Sequence, residues 1–80
     1  MSGIRIHLTF PEKLIQEPLI YNLGKNFGIV TNIRRANVEQ KMGWVILELE
    51  AEDEALEQGV KYLEEQGVQV DRMDGNGIES

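Results

Sequence analysis

The stretch IVTNIRRANVEQKMGWVILELE, residues 29–50, holds two strands in succession. In its second half Val45, Leu47 and Leu49 fall on one side, and Trp44, Ile46, Glu48 and Glu50 on the other. That period of two is the pattern of a half-buried strand, predicted over residues 44–50. The first half begins the same way, with Ile29, Thr31 and Ile33 in phase, but Ala36 and Val38 have the other parity. A slip of one residue turns every later side chain to the opposite face, so a bulge or bend is expected near Arg34-Arg35 in a strand over 29–39. Residues 40–43 supply the turn between the two.

Outward from this pair the periodicity changes. Upstream, Leu19, Ile20, Leu23 and Phe27 recur at helical spacing after Pro18, which suits a helix start because it has no N–H to leave unpaired. Gly28 can provide the left-handed cap, giving a helix over 18–27. Gly24 lies on the apolar stripe and predicts close approach of that helix to the sheet. Earlier still, Ile4, Ile6, Leu8 and Phe10 alternate with Arg5, His7 and Thr9, a strand over 4–10 ended by Pro11. Downstream, Glu52-Asp53-Glu54 places acids at the positive end of a helix over 53–66. Its apolar stripe is Leu56, Gly59, Val60 and Leu63, and Gly67 caps it. A short strand over 68–73 closes the pattern.

Strand, helix, strand, strand, helix, strand is the split βαβ order of ferredoxin-like α+β folds. Right-handed crossovers then put both helices on one face of a four-stranded antiparallel sheet, strands one and three central and two and four at the edges. The expected core is Ile6, Leu8, Leu23, Phe27, Ile33, Val45, Leu47, Leu49, Val60 and Leu63. The domain should run over 1–74, with the glycine-rich polar residues 75–80 a flexible tail.

Eighty residues enclose one thin core, burying about 60–65% of the unfolded surface. There is no cysteine, so disulfides and iron–sulfur clusters are excluded and a structural zinc site is disfavoured. Further stability must come from packing or a partner chain. Eight basic against 14 acidic residues leave a net charge of −6, which disfavours nucleic acid and anionic membranes as partners. No apolar run is long enough to span a bilayer, and residues 1–4 lack the features of a signal peptide, so a cytoplasmic protein is expected.

Catalytic groupings are not apparent. His7 is the one histidine and has no companion in sequence for metal or acid–base chemistry. The acids Glu48, Glu50, Glu52, Asp53, Glu54 and Glu57 lack calcium-loop spacing and read as a solvated face plus a helix start. Gly24 and Gly28 do not follow a strand, as a phosphate-cradling loop must. No enzyme activity, cofactor or metal is therefore expected. Trp44 and Ile46 are more informative. Alternation sends both to the face that no helix covers, where exposed apolar area marks an interface. Either they form a dimer contact or Trp44 packs beneath a loop. Arg34 and Arg35 can receive a carboxylate or simply blunt an edge strand.

The residues Ile4-Arg5-Ile6-His7-Leu8-Thr9-Phe10, Ile29-Val30-Thr31-Asn32-Ile33, Gly43-Trp44-Val45-Ile46-Leu47-Glu48-Leu49 and Gly67-Val68-Gln69-Val70 together resemble the NIL domain. That family takes its name from Asn-Ile-Leu in the second strand, where this chain has Asn32-Ile33-Arg34. The resemblance implies a ferredoxin-like fold related to amino-acid-sensing ACT domains, a tendency to form homodimers, and a relation to the regulatory C-terminal domain of methionine-importer ATPases. It implies a stand-alone regulatory module sensing an amino acid such as methionine at Asn32, Ile33 and Arg34, with a transporter ATPase as a possible protein partner. Asn32 can bond a ligand through its amide or bond neighbouring backbone at the bulge. The alternative reading is a structural dimerisation or protein-interaction module without a metabolite.

Overall fold

The computed structural model describes residues 2–73. The residues assigned above to a flexible tail lie outside that range. Strand β1 is Ser2–Pro11, helix α1 Leu19–Phe27, β2 Val30–Val38, β3 Met42–Ala51, α2 Asp53–Gln66 and β4 Gln69–Arg72. The sheet order is β2-β3-β1-β4, with every neighbouring pair antiparallel. This is the ferredoxin-like βαββαβ arrangement, with β1 and β3 central.

β1 and β3 pair along ten residues each, Ser2 opposite Ala51 through Pro11 opposite Met42. Their inward rows pack beneath the helices. Ile6, Leu8, Leu47 and Leu49 are fully buried, as are Leu23 of α1 and Leu63 of α2. Phe27 and Val60, expected in the core, are only half-buried; Phe27 packs against its margin, whereas Val60 lines a surface depression on α2. Sequence reasoning missed Leu14 as a core residue. A single 3-10 turn, Glu12–Leu14, follows Pro11 and turns Leu14 inward. No apolar periodicity is resolvable in three residues, so pattern alone could not find it.

The two helices end by the same device. Gly28 (φ 68°) and Gly67 (φ 101°) are left-handed, a region that favours glycine. The N–H of the next residue then reaches back, Ile29 to the Leu23 carbonyl and Val68 to the Leu63 carbonyl. Ile29 and Val68 are both buried, so each cap also sets an aliphatic side chain under its helix before the following strand begins.

The close approach to the sheet expected at Gly24 is not found; the tight glycine contact is at Gly59 of α2, and it is with α1 and Ile29. Gly24 is exposed, and a Cβ there would make only ordinary contact with the Ile29 carbonyl, at 3.4 Å. Gly59 is buried, and a Cβ there would lie 2.5 Å from Ile29 Cδ1 and 3.3 Å from Leu23 Cδ2. The helices are further joined by Asn22, which donates from Nδ2 to the Tyr62 hydroxyl at 2.9 Å, and by the tilted contact of Phe27 with Tyr62.

Strand β2 departs from the expected core. Its register with β3 shifts between Ile33 and Arg35, which locates the anticipated bulge at Arg34. Ile33 stands opposite Leu47, and Ala36 opposite Val45. The bulge therefore restores the phase broken in the sequence pattern, keeping Ile33, Ala36 and Val38 on the helix side. Yet Ile33 is 60% exposed and Val38 64%. Their side of the sheet is correct, but neither helix extends over the outer edge, so the expectation that Ile33 is buried fails.

Candidate functional site

The face without helices carries the polar and aromatic features. By the strand register, Arg5, His7 and Thr9 from β1 share it with Trp44, Ile46, Glu48 and Glu50 from β3. Asn32, Arg35 and Asn37 from β2 and Gln69 and Asp71 from β4 flank them. Arg34 also reaches this face, because its Nη1 lies 3.6 Å from Glu48 Oε1. Adjacent residues at a bulge can point the same way, which ordinary alternation forbids.

Three arginines and three carboxylates thus balance on the open face, whereas the rest of the described chain holds the acidic excess. Glu48 is the centre of the charged group. Arg5 donates from Nε (3.2 Å) and Nη2 to Glu48 Oε2. The hydrogen bond from Arg5 holds the Glu48 carboxyl below the usual carboxylate range, with the charges of Arg34 and Arg5 adding and partial loss of hydration opposing. Beside this group, where β1 begins and β3 ends, runs a shallow groove of about 310 Å³. Gly3, Arg5, Asn32, Glu48, Glu50 and Met73 line it. The groove sets an amide, a guanidinium and carboxylates within reach of one small polar solute.

The three residues named from sequence as ligand-binding do not sit together. Asn32 lines the groove and Arg34 approaches Glu48, but Ile33 lies on the opposite side of the sheet. Arg5 and Glu48 were not singled out as partners. They are 43 residues apart in sequence, and the register of β1 with β3, which sets them directly opposite, was the one signal that could have joined them.

Trp44 and Ile46 are on the open face as the alternation predicts, and both are half-buried. The His7 ring stacks on Trp44, with centroids 5.5 Å apart and planes 18° from parallel. Among the large exposed apolar residues of β2, Val30, opposite Glu50, shares the open face at its edge, whereas Ile33 and Val38 lie on the helix side. Among the described residues no cluster of three His, Cys, Asp or Glu side chains could hold a metal ion, and no helix is long and apolar enough to cross a membrane.

A ferredoxin-like module with a charged groove at one end of its open face is the class these features define. Residues 4–72 match the model of the NIL domain, and the chain belongs to that family. It is 34% identical over 70 residues to the methionine import ATP-binding protein MetN of Histophilus somni (strain 129Pt), an alignment covering 82% of this chain. The chain spans about a fifth of that relative, 20% of its length. Its fold is also that of the C-terminal domain of an ABC transporter ATP-binding protein from Enterococcus faecalis. The TM-score there is 0.80 at 16% identity, covering 94% of this chain and 88% of the other.

Proposed function

We propose that this chain is a small-molecule-sensing regulatory module that binds an amino acid such as methionine, and that it works as a cytoplasmic homodimer without catalytic activity of its own. The observation that carries the reading is the pairing of opposite charges around the groove. The guanidinium of Arg5 and the amide of Asn32, both in the groove lining, suit a ligand carboxylate, with Arg34 adding positive charge beside Glu48, and Glu48 and Glu50 suit an ammonium group. Ile33, whose exposed side chain lies on the far side of the strand, would contribute only through its backbone. The similarity to a methionine import protein supports this choice of ligand, and an ATP-binding transporter subunit is the protein partner it suggests. Dimerisation would cover Trp44 and Ile46, which lie on the charge-balanced face where a second acidic copy meets least repulsion.

Thermal unfolding in the presence of each amino acid tests the reading. A ligand at about 100 times its Kd adds roughly 2.7 kcal/mol, a rise of many degrees for a domain of this size. Asn32→Ala should remove that rise while leaving the unliganded melting temperature in place. If no amino acid raises the melting temperature, the sensing function is wrong. The second reading, an interaction module without a metabolite, is favoured by the exposed apolar row on β2. It requires a partner whose binding is indifferent to Asn32.

A further inference from the structure

Strand β2 carries three features that a metabolite in the groove leaves unexplained. It is an edge strand of nine residues, hydrogen-bonded on one side to β3 alone. Ile33 and Val38 stand exposed on its helix side, with Ala36 exposed between them. On its open side the bulge sets Arg34 and Arg35 next to each other, and the ion pairs among the described residues leave Arg35 without a carboxylate. We propose that β2 accepts, as a fifth strand, an extended segment of another protein in which acidic and apolar residues alternate.

Each feature selects one property of that partner. Unpaired backbone groups along an edge are a template for a further strand, and main-chain hydrogen bonds supply the affinity in such additions. A strand added there alternates its side chains between the same two faces as β2. Those on the helix side meet Ile33, Ala36 and Val38 and must be apolar. Those on the open side meet Arg34 and Arg35 and must be acidic, because opposite charges across a strand pair stabilise it and like charges destabilise it. This last condition argues against a second copy of β2, whose own two arginines would fall on the same face of the shared sheet. A free small anion satisfies the arginines and leaves the apolar row in water. The partner strand meets all three conditions at once, and it is a different function from amino-acid sensing in the groove.

The probe is a synthetic capped peptide of alternating valine and glutamate, compared with its valine–lysine counterpart and with a version N-methylated on alternate residues to block one edge. The expected result is saturable binding of the glutamate peptide, weakened by salt, with amide hydrogen exchange slowed in residues 30–38. N-methylation should abolish it. Arg35→Glu should weaken the glutamate peptide about tenfold and create binding of the lysine peptide. Val38→Thr should weaken the glutamate peptide as well. Circular dichroism checks that each variant stays folded, as substitution of these exposed residues should allow. Equal binding of the glutamate and lysine peptides, binding that survives N-methylation, or no binding at millimolar peptide would overturn the proposal. So would sedimentation showing a dimer with residues 30–38 protected, since a second copy would then hold the edge. Asn32→Ala should leave peptide binding unchanged, so failure here and failure of amino-acid sensing can be told apart.

Discussion

Strands β3 and β2 are hydrogen-bonded neighbours with opposite fates. Every second residue of β3 from Gly43 to Ala51 is buried, whereas β2 is exposed at all but one of its nine positions. Leu47 and Ile33 make the contrast sharpest, since they stand opposite each other on the same side of the sheet. Leu47 is wholly buried and Ile33 is 60% exposed. Hydrophobic patterning decides which way a side chain points. What lies above it decides whether water is excluded. The centre of this sheet therefore serves the fold, and its β2 edge is the part the fold leaves uncovered.

The largest effect should come from breaking the central member of that pair. Leu47→Ala removes three side-chain carbons from an enclosed site and should cost about 2–5 kcal/mol. Ile33→Ala, a comparable truncation on the same face, should cost less than about 1 kcal/mol, because little of its surface is recovered from water on folding. Chemical denaturation of both variants measures the difference. Equal losses would mean that β2 is covered in solution by another chain.

The same split between direction and cover explains what the sequence could tell. Element order, the bulge at Arg34 and both glycine caps were legible, since each is written in local parity or in a residue with special backbone freedom. The β3 core followed from alternation alone. The exposure of Ile33 was not legible, because it depends on the lateral reach of the helices, which no spacing within β2 encodes. In the candidate site, Asn32 and Arg34 could be picked out by their place in a family motif. Their neighbours Arg5 and Glu48 come together through cross-strand register, and only a residue-by-residue pairing of β1 with β3 would have found them.

A smaller effect separates the two helical glycines. Gly59→Ala gains up to about 1 kcal/mol of helix propensity but drives a methyl group against Ile29 and Leu23, both buried. Overpacking of this kind costs about 1–3 kcal/mol, so the net change should be destabilising. Gly24→Ala makes only ordinary contact and should stabilise by up to about 1 kcal/mol. Thermal melts of the two variants should move in opposite directions. A rise for both would show that Ile29 can turn aside without loss, and that the helices approach at this point more loosely than the geometry requires.

The smallest expected effect lies on the open face, where charge takes the place of packing. Glu48 accepts from Arg5 and lies near Arg34, and its carboxyl is held below the ordinary carboxylate range in the folded chain. A carboxyl that binds its proton less readily when folded favours the folded state at neutral pH. That contribution is complete above the ordinary carboxylate pKa of about 4.3 and disappears as pH falls through the lower folded-state value. The stability of wild type relative to Glu48→Gln should therefore be constant near neutrality and shrink on acidification. High salt should reduce it at every pH, because the pair is open to water. Arg5 makes the direct hydrogen bond, so Arg5→Ala should raise the Glu48 titration midpoint more than Arg34→Ala does, as followed by carbon NMR of the Glu48 carboxyl. If Arg34→Ala had the larger effect, Arg34 would be the guanidinium committed to Glu48, and Arg5, in the groove lining, would be the one left to hold a ligand's carboxylate.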